Sequence, residues 1–262
     1  MEEIIYIISK IGYDGIEIWG YHLKKYEASL SRLRKLLNYR NLEVPMISPY
    51  FDFTGRYQNW CRSIEEGKKF ISFAVELNCP LIRCFTGKVS SEFATEKQWK
   101  ACIEGIKYLA EIAKKNNITL AIETHLNTLA DKDDSIMRLL TEINTDNVKL
   151  NLDFYNLYEI SPDNFSPKKL IEKFYPYIVH IHAKNAILSK GKISPFWYVM
   201  DKKVSLENIR YLSAGDLDYN SIIKMLIDKN YQGYISIECF ETRRNPIRVA
   251  EDELKYIRSL NK

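Results

Sequence analysis

"TLAIETH" at residues 119–125 and "VKLNLDFYN" at 148–156 decide how this chain folds. Successive side chains of a β-strand point to opposite faces. In the first stretch Leu120 and Ile122 therefore share one face, and Thr119, Ala121, Glu123 and His125 share the other. In the second, Leu150 and Leu152 oppose Asn151 and Asp153, and in "YISIECF" (234–240) Ile235 and Ile237 oppose Ser236 and Glu238. A strand covered by helices on both sides should be apolar throughout, whereas a barrel strand can turn polar groups inward near its C-terminal mouth. The alternation favours a TIM-type (β/α) barrel over a doubly wound sheet.

Outward from these two stretches the same design repeats. Further strands are read at "GIEIWG" (15–20), "EVPMISPY" (43–50), "LIRCFTG" (81–87) and "IVHIHAKN" (178–185). Between strands lie amphipathic segments such as "SLSRLRKLLNYR" (29–40), "CRSIEEGKKFISFAVELN" (61–78) and "EKQWKACIEGIKYLAEIAKKNN" (96–117), with apolar residues three and four apart. Strand and helix alternating in this way imply parallel strands joined by right-handed crossovers. The chain opens on a helix-like "EEIIYIISKIG", with no strand before it. The expectation is a seven-stranded barrel: either the first strand lies upstream, or the gap is covered by a helix, a loop or another subunit. No Pro/Gly/Ser-rich linker divides residues 1–262, so one barrel domain is expected.

Composition narrows the function classes. The 38 basic and 34 acidic side chains are dispersed and leave a net charge of +4, with no basic block of the kind that binds nucleic acid. No stretch reaches the length of a membrane span, and the acidic start "MEEIIYIISK" lacks the basic region of a signal peptide. A soluble, cytoplasmic protein with no membrane partner is expected. The five cysteines are odd in number and form no C-x-x-C, which suits reduced, buried thiols.

Catalytic groups in such barrels stand at the C-terminal ends of strands. Those ends supply Glu123, Asp153, His182 and Glu238. Three carboxylates converging in one mouth repel one another unless a cation or shared protons neutralise them, and a divalent metal is the economical solution. A hard, mostly oxygen donor set suits Mn²⁺ or Mg²⁺ better than a structural Zn²⁺, with Co²⁺ and Zn²⁺ also compatible. On "IVHIHAKN", His180, His182 and Lys184 share the inner face; His180 lies one layer deeper than His182 and reads as a hydrogen-bonded support.

The motifs "YDGIEIW", "LAIETH", "LNLDFYN", "HIHAKN", "SAGDLDY" and "GYISIECF" together resemble those of the sugar phosphate isomerase/epimerase superfamily, the xylose isomerase-like barrels. The resemblance runs over nearly the whole chain, and implies that Glu123, Asp153, His182 and Glu238 hold one divalent metal. It also implies a small carbohydrate as substrate. Two positions depart from the pattern: Asn156 stands where many relatives carry histidine, and Asn185 where many carry aspartate. Asparagine can orient a substrate by hydrogen bonds but cannot exchange protons. The branch typified by endonuclease IV needs extra histidines on earlier strands, and none occurs between His22 and His125.

The leading expectation is a metal-dependent isomerase or epimerase of a sugar or sugar-like polyol acting through an enediolate, with Glu123 and Glu238 as proton-handling groups on opposite faces of the carbon. The alternatives are a dehydratase or lyase of an inositol-like keto-polyol, and a barrel that only binds sugar. Lys184 could hold a substrate oxygen or be solvated. Arg83, facing inward, should pair with an acid such as Glu17 or reach substrate. Trp19 and Phe240 could stack on a sugar or pack in the core. Arg243 and Arg244 could bind a phosphate, but read first as exposed surface charge. The long insertion from Ala186 to Leu217 reads as a wall over the substrate or a contact in a homo-oligomer.

Overall fold

The computed structural model describes residues 1–188, 209–239 and 244–260. The helices are α1 (Glu2–Ile11), α2 (Gly20–Lys24), α3 (Leu30–Tyr39), α4 (Tyr57–Leu77), α5 (Glu96–Lys114), α6 (Asp133–Ile143), α7 (Phe154–Ile160), α8 (Pro167–Phe174), α9 (Tyr219–Asp228) and α10 (Pro246–Ser259). The strands are β1 (Ile18–Trp19), β2 (Met46–Ser48), β3 (Leu81–Cys84), β4 (Thr119–Glu123), β5 (Val148–Asp153), β6 (Ile178–Ala183), β7 (Asn185–Ala186), β8 (Ile209–Arg210) and β9 (Tyr234–Ile237). Seven parallel strands form one sheet in the order β1-β2-β3-β4-β5-β6-β9. This is the seven-stranded arrangement expected from the sequence. The pairing of β7 with β8 is a separate antiparallel ribbon that the sequence did not announce.

The chain divides into two compact units: Met1–Leu152 with Pro176–His180, and Asp153–Tyr175 with Ile181–Lys262. In the first, register is fixed by pairs such as Ile82 opposite Leu120 and Ile122 opposite Leu150. These aliphatic side chains are fully buried, together with Ile106, Leu109 and Phe70 of the covering helices. Gly67 lets α4 and α5 approach closely, because a methyl group there would lie 2.4 Å from Leu109. α5 begins in a capping box, in which Thr95 and Gln98 satisfy each other's backbone N–H groups. α1 ends at Gly12, whose φ of 98° is the left-handed cap that favours glycine.

In the second unit α9 is capped by Asp218, which accepts from the Asn220 and Ser221 N–H groups, and α10 by Asn245, which accepts from Ile247 and Arg248. The strand read through Asn156 ends earlier. Asp153 closes β5 and its Oδ1 accepts from the Asn156 N–H at 2.9 Å, so that Asp153 is the N-cap of α7. Phe240, Arg243 and the "ISPFWYVM" segment (193–200) lie outside the described residues.

Candidate metal centre

In the second unit the polar face expected from the alternation is buried around one lysine. Asp153, at the end of β5, and His182, on β6, are fully buried, and Glu238 follows β9 directly. The Glu238 N–H donates to the Ala183 carbonyl at 2.9 Å, which fixes it beside the end of β6. Each of these three side chains offers a ligand atom within 4.8 Å of the others. His182 Nδ1 lies 3.3 Å from Glu238 Oε1, and the Lys184 ammonium stands 2.7 Å from Asp153 Oδ2 and 3.3 Å from Glu238 Oε2. Two carboxylates and an imidazole at this separation match the hard oxygen and nitrogen donors that Mn²⁺ or Mg²⁺ accepts. The donor chemistry therefore fits a divalent ion.

Lys184 is not solvated. Its backbone is held by the buried Tyr219 hydroxyl, which accepts from the Lys184 N–H and donates to the Lys184 carbonyl, both at 2.9 Å. Asn185 serves the backbone: its amide donates to the Leu212 and Leu217 carbonyls, and its oxygen accepts from the Ala186 and Leu217 N–H groups. Its full hydrogen-bonding capacity is committed there, which differs from the substrate contact expected of it. Asn156 is buried on the first turn of α7.

In the first unit Glu123 ends β4, the neighbour of β5 in the sheet. Arg83 Nη1 meets Glu123 Oε2 at 3.0 Å, both side chains being at most 5% exposed. The same guanidinium donates through Nη2 to the Ser48 and Pro49 carbonyls and lies over the rings of Tyr50 and Phe85, at 4.3 and 5.0 Å. The expectation that Arg83 needs an acid holds, with Glu123 in that place. Glu17 pairs with His180 (Nε2 to Oε2, 3.3 Å) and accepts from the Ser48 hydroxyl. His180 is fully buried beside Glu17, in the deeper layer expected of it. Trp19 is half-buried and packs with Tyr21 and His22, its ring centroid 5.0 Å from each. Arg244 is exposed, with its guanidinium over the Tyr211 ring.

Three polar residues were missed. Tyr219 closes the quoted "SAGDLDY" motif, but its role, a contact across 35 positions, was not readable from it. His125 stands two residues beyond Glu123, and its Nδ1 lies 2.8 Å from the Leu126 carbonyl; a carbonyl only accepts, so Nδ1 carries the proton. Glu159 is buried on α7, and neither of its oxygens meets a hydrogen-bond donor among the described residues. Burial pushes its carboxyl up to about 7, against the pull of the Lys184 ammonium and with a further push from Asp153. Read with a helical period, Asp153, Asn156 and Glu159 recur every three residues, a signal lost by extending the strand to Asn156.

Acids and an imidazole gathered at the C-terminal ends of parallel, helix-connected strands define the active-site face of a barrel enzyme. The sequence profile of the family described as "Xylose isomerase-like TIM barrel" matches residues 5–260, and the chain belongs to that family. It is 28% identical over 265 residues to a 3-dehydroshikimate dehydratase of Bacillus anthracis, covering 98% of this chain and 92% of the relative. It is 24% identical over 282 residues to an inosose dehydratase of Clostridium perfringens, covering 98% and 89%. Among solved structures it resembles the "probable 3-DHS dehydratase" of petrobactin synthesis from Bacillus anthracis (TM-score 0.84, 24% identity, 98% and 92% coverage). It also resembles an L-ribulose 3-epimerase (TM-score 0.79, 17% identity, 99% and 88% coverage). At these identities the structural likenesses speak for the fold. The match in the family supports an enzyme, and the sequence relatives named here are dehydratases rather than the isomerases expected first.

Proposed function

We propose that this protein is a divalent-metal-dependent dehydratase that removes water from a small cyclic hydroxy-ketone of the 3-dehydroshikimate or inosose kind. The observation that carries the reading is the group of Asp153, His182 and Glu238 around the Lys184 ammonium, in a chain that sequence relatives named as dehydratases match along nearly its whole length. On this reading Glu123, Asp153, His182 and Glu238 hold one ion, Mn²⁺ by preference, and residues 1–262 act as one barrel domain. When bound, the ion would polarise the carbonyl of the substrate and so acidify the adjacent C–H.

The chain's own groups then carry the proton traffic. A carboxylate of the pair Glu123 and Glu238 takes the proton from the carbon beside the carbonyl. The electron pair released forms a carbon–carbon double bond as the β-hydroxyl leaves, and that hydroxyl departs as water after receiving a proton from the protein. Lys184 and Asn156 face the substrate oxygens, with Trp19 beside the ring, and Arg83 acts by holding Glu123. Asn185 braces the backbone instead of meeting substrate. Glu123 ends β4 and Glu238 follows β9, strands that are not neighbours in the sheet, which also suits the isomerase or epimerase reading, in which the proton returns to the opposite face of the carbon.

One assay separates these outcomes. Purified protein with Mn²⁺ is given 3-dehydroshikimate, an inosose and a panel of ketoses in D₂O. A dehydratase yields the conjugated product's ultraviolet absorbance, abolished by chelator and restored by Mn²⁺. Deuterium incorporation without water loss would establish the epimerase instead, and neither signal on any substrate would leave only a binding protein.

A further inference from the structure

Lys184 places its ammonium against two of the carboxylates proposed to hold the divalent ion. Its ammonium approaches Asp153 Oδ2 at 2.7 Å and Glu238 Oε2 at 3.3 Å, with a side chain only 6% exposed. The other oxygens have neighbours of their own: Asp153 Oδ1 accepts from the Asn156 N–H, and Glu238 Oε1 lies 3.3 Å from His182 Nδ1. Two carboxylates drawn together out of water repel, and a cation between them removes the repulsion. An ammonium does so with one charge and a divalent ion with two, and both seek the same oxygens. The Tyr219 hydroxyl, bonded to the Lys184 N–H and carbonyl, fixes the root of the lysine stem so that its reach onto those oxygens is built in.

We propose that Lys184 is an internal counter-cation of the metal centre: it holds Asp153 and Glu238 in place without metal, and competes with a divalent ion for both. Metal affinity is then set by this lysine as well as by the ligands, and loading lengthens its contact with Asp153. The inference rests on the metal-centre reading above.

The test is binding, not turnover. Mn²⁺ is titrated into metal-free wild type, K184M, K184Q and K184R, with free Mn²⁺ followed by electron paramagnetic resonance and thermal melts recorded without metal. K184M and K184Q are expected to bind Mn²⁺ at least tenfold more tightly than wild type and to melt at lower temperature without it, while K184R, which keeps the charge, stays near wild type. K184Q retains amide donors toward Asp153, so it supplies the affinity if K184M does not fold without metal. Equal affinity in all four proteins, or weaker binding in K184M and K184Q, overturns the proposal while leaving the metal centre standing. Absence of Mn²⁺ binding in every protein overturns the metal-centre reading itself.

Discussion

At the scale of single residues the demanding position is Arg83. An inward guanidinium on a barrel strand has to be neutralised where it stands, and the sequence shows that need without showing which acid meets it. Glu17 precedes β1 and Glu123 ends β4, and only the staggering of β3 against β4 brings Cys84 opposite Ile122 and Glu123 one step beyond. The fork serves a carboxylate, two backbone carbonyls and two aromatic faces at once. Breaking one side of a buried ion pair strands the other charge, at a cost of about 3–5 kcal/mol. Arg83→Met should lower the unfolding free energy by that amount in urea titrations at neutral pH. Arg83→Lys should recover less than half of it, because an ammonium cannot fork between Glu123 and the carbonyls. A loss under about 1 kcal/mol for Arg83→Met would mean that the pair contributes little.

At the scale of elements, β4, β6 and the long helices α4 and α5 were legible because hydrophobic period alone specifies them. The alternation in "TLAIETH" and "IVHIHAKN" admits one reading, and both strands form where they were read, each ending two residues early, at Glu123 and Ala183. Ends were harder to place: "DFYN" continues the alternation, yet the Asp153 carboxylate takes the Asn156 N–H and turns the chain into α7. The ribbon of β7 and β8 was not legible, since its two residues per strand depend on partners 25 positions apart, such as Asn185 and Arg210. Its anchor is Glu253 on α10, which accepts from the Leu212 N–H with both oxygens, at 3.0 and 3.2 Å. Burial pushes the Glu253 carboxyl up to about 7, against the Leu212 N–H and the Cys239 thiol, with Asp252 adding to the push. An acid raised in the folded state from 4.5 to about 7 contributes stability that is complete below about pH 4.5 and is lost as the pH rises through 7. Glu253→Gln keeps an acceptor for Leu212 and never charges. Its advantage over wild type in urea titrations should therefore grow by about 1–3 kcal/mol between pH 5 and 8. A constant difference across that range would show that Glu253 does not titrate there.

At the scale of the molecule, the boundary between the two compact units falls inside elements: it separates Leu152 from Asp153 in β5, and His180 from Ile181 in β6. A hydrogen-bonded strand cannot melt at one end without freeing the backbone groups of the other, so units that share strands are expected to unfold together. Calorimetry should give a single endotherm whose van't Hoff and calorimetric enthalpies agree. Mn²⁺ at about one hundred times its dissociation constant adds about 2.7 kcal/mol to a fold that alone binds it. In a chain of 262 residues that corresponds to a rise in Tm of about 5–10 °C for the whole endotherm, reversed by chelator. Two endotherms, with only the second moved by Mn²⁺, would instead show that Asp153, His182 and Glu238 belong to a domain that folds by itself, and would replace the one-domain reading.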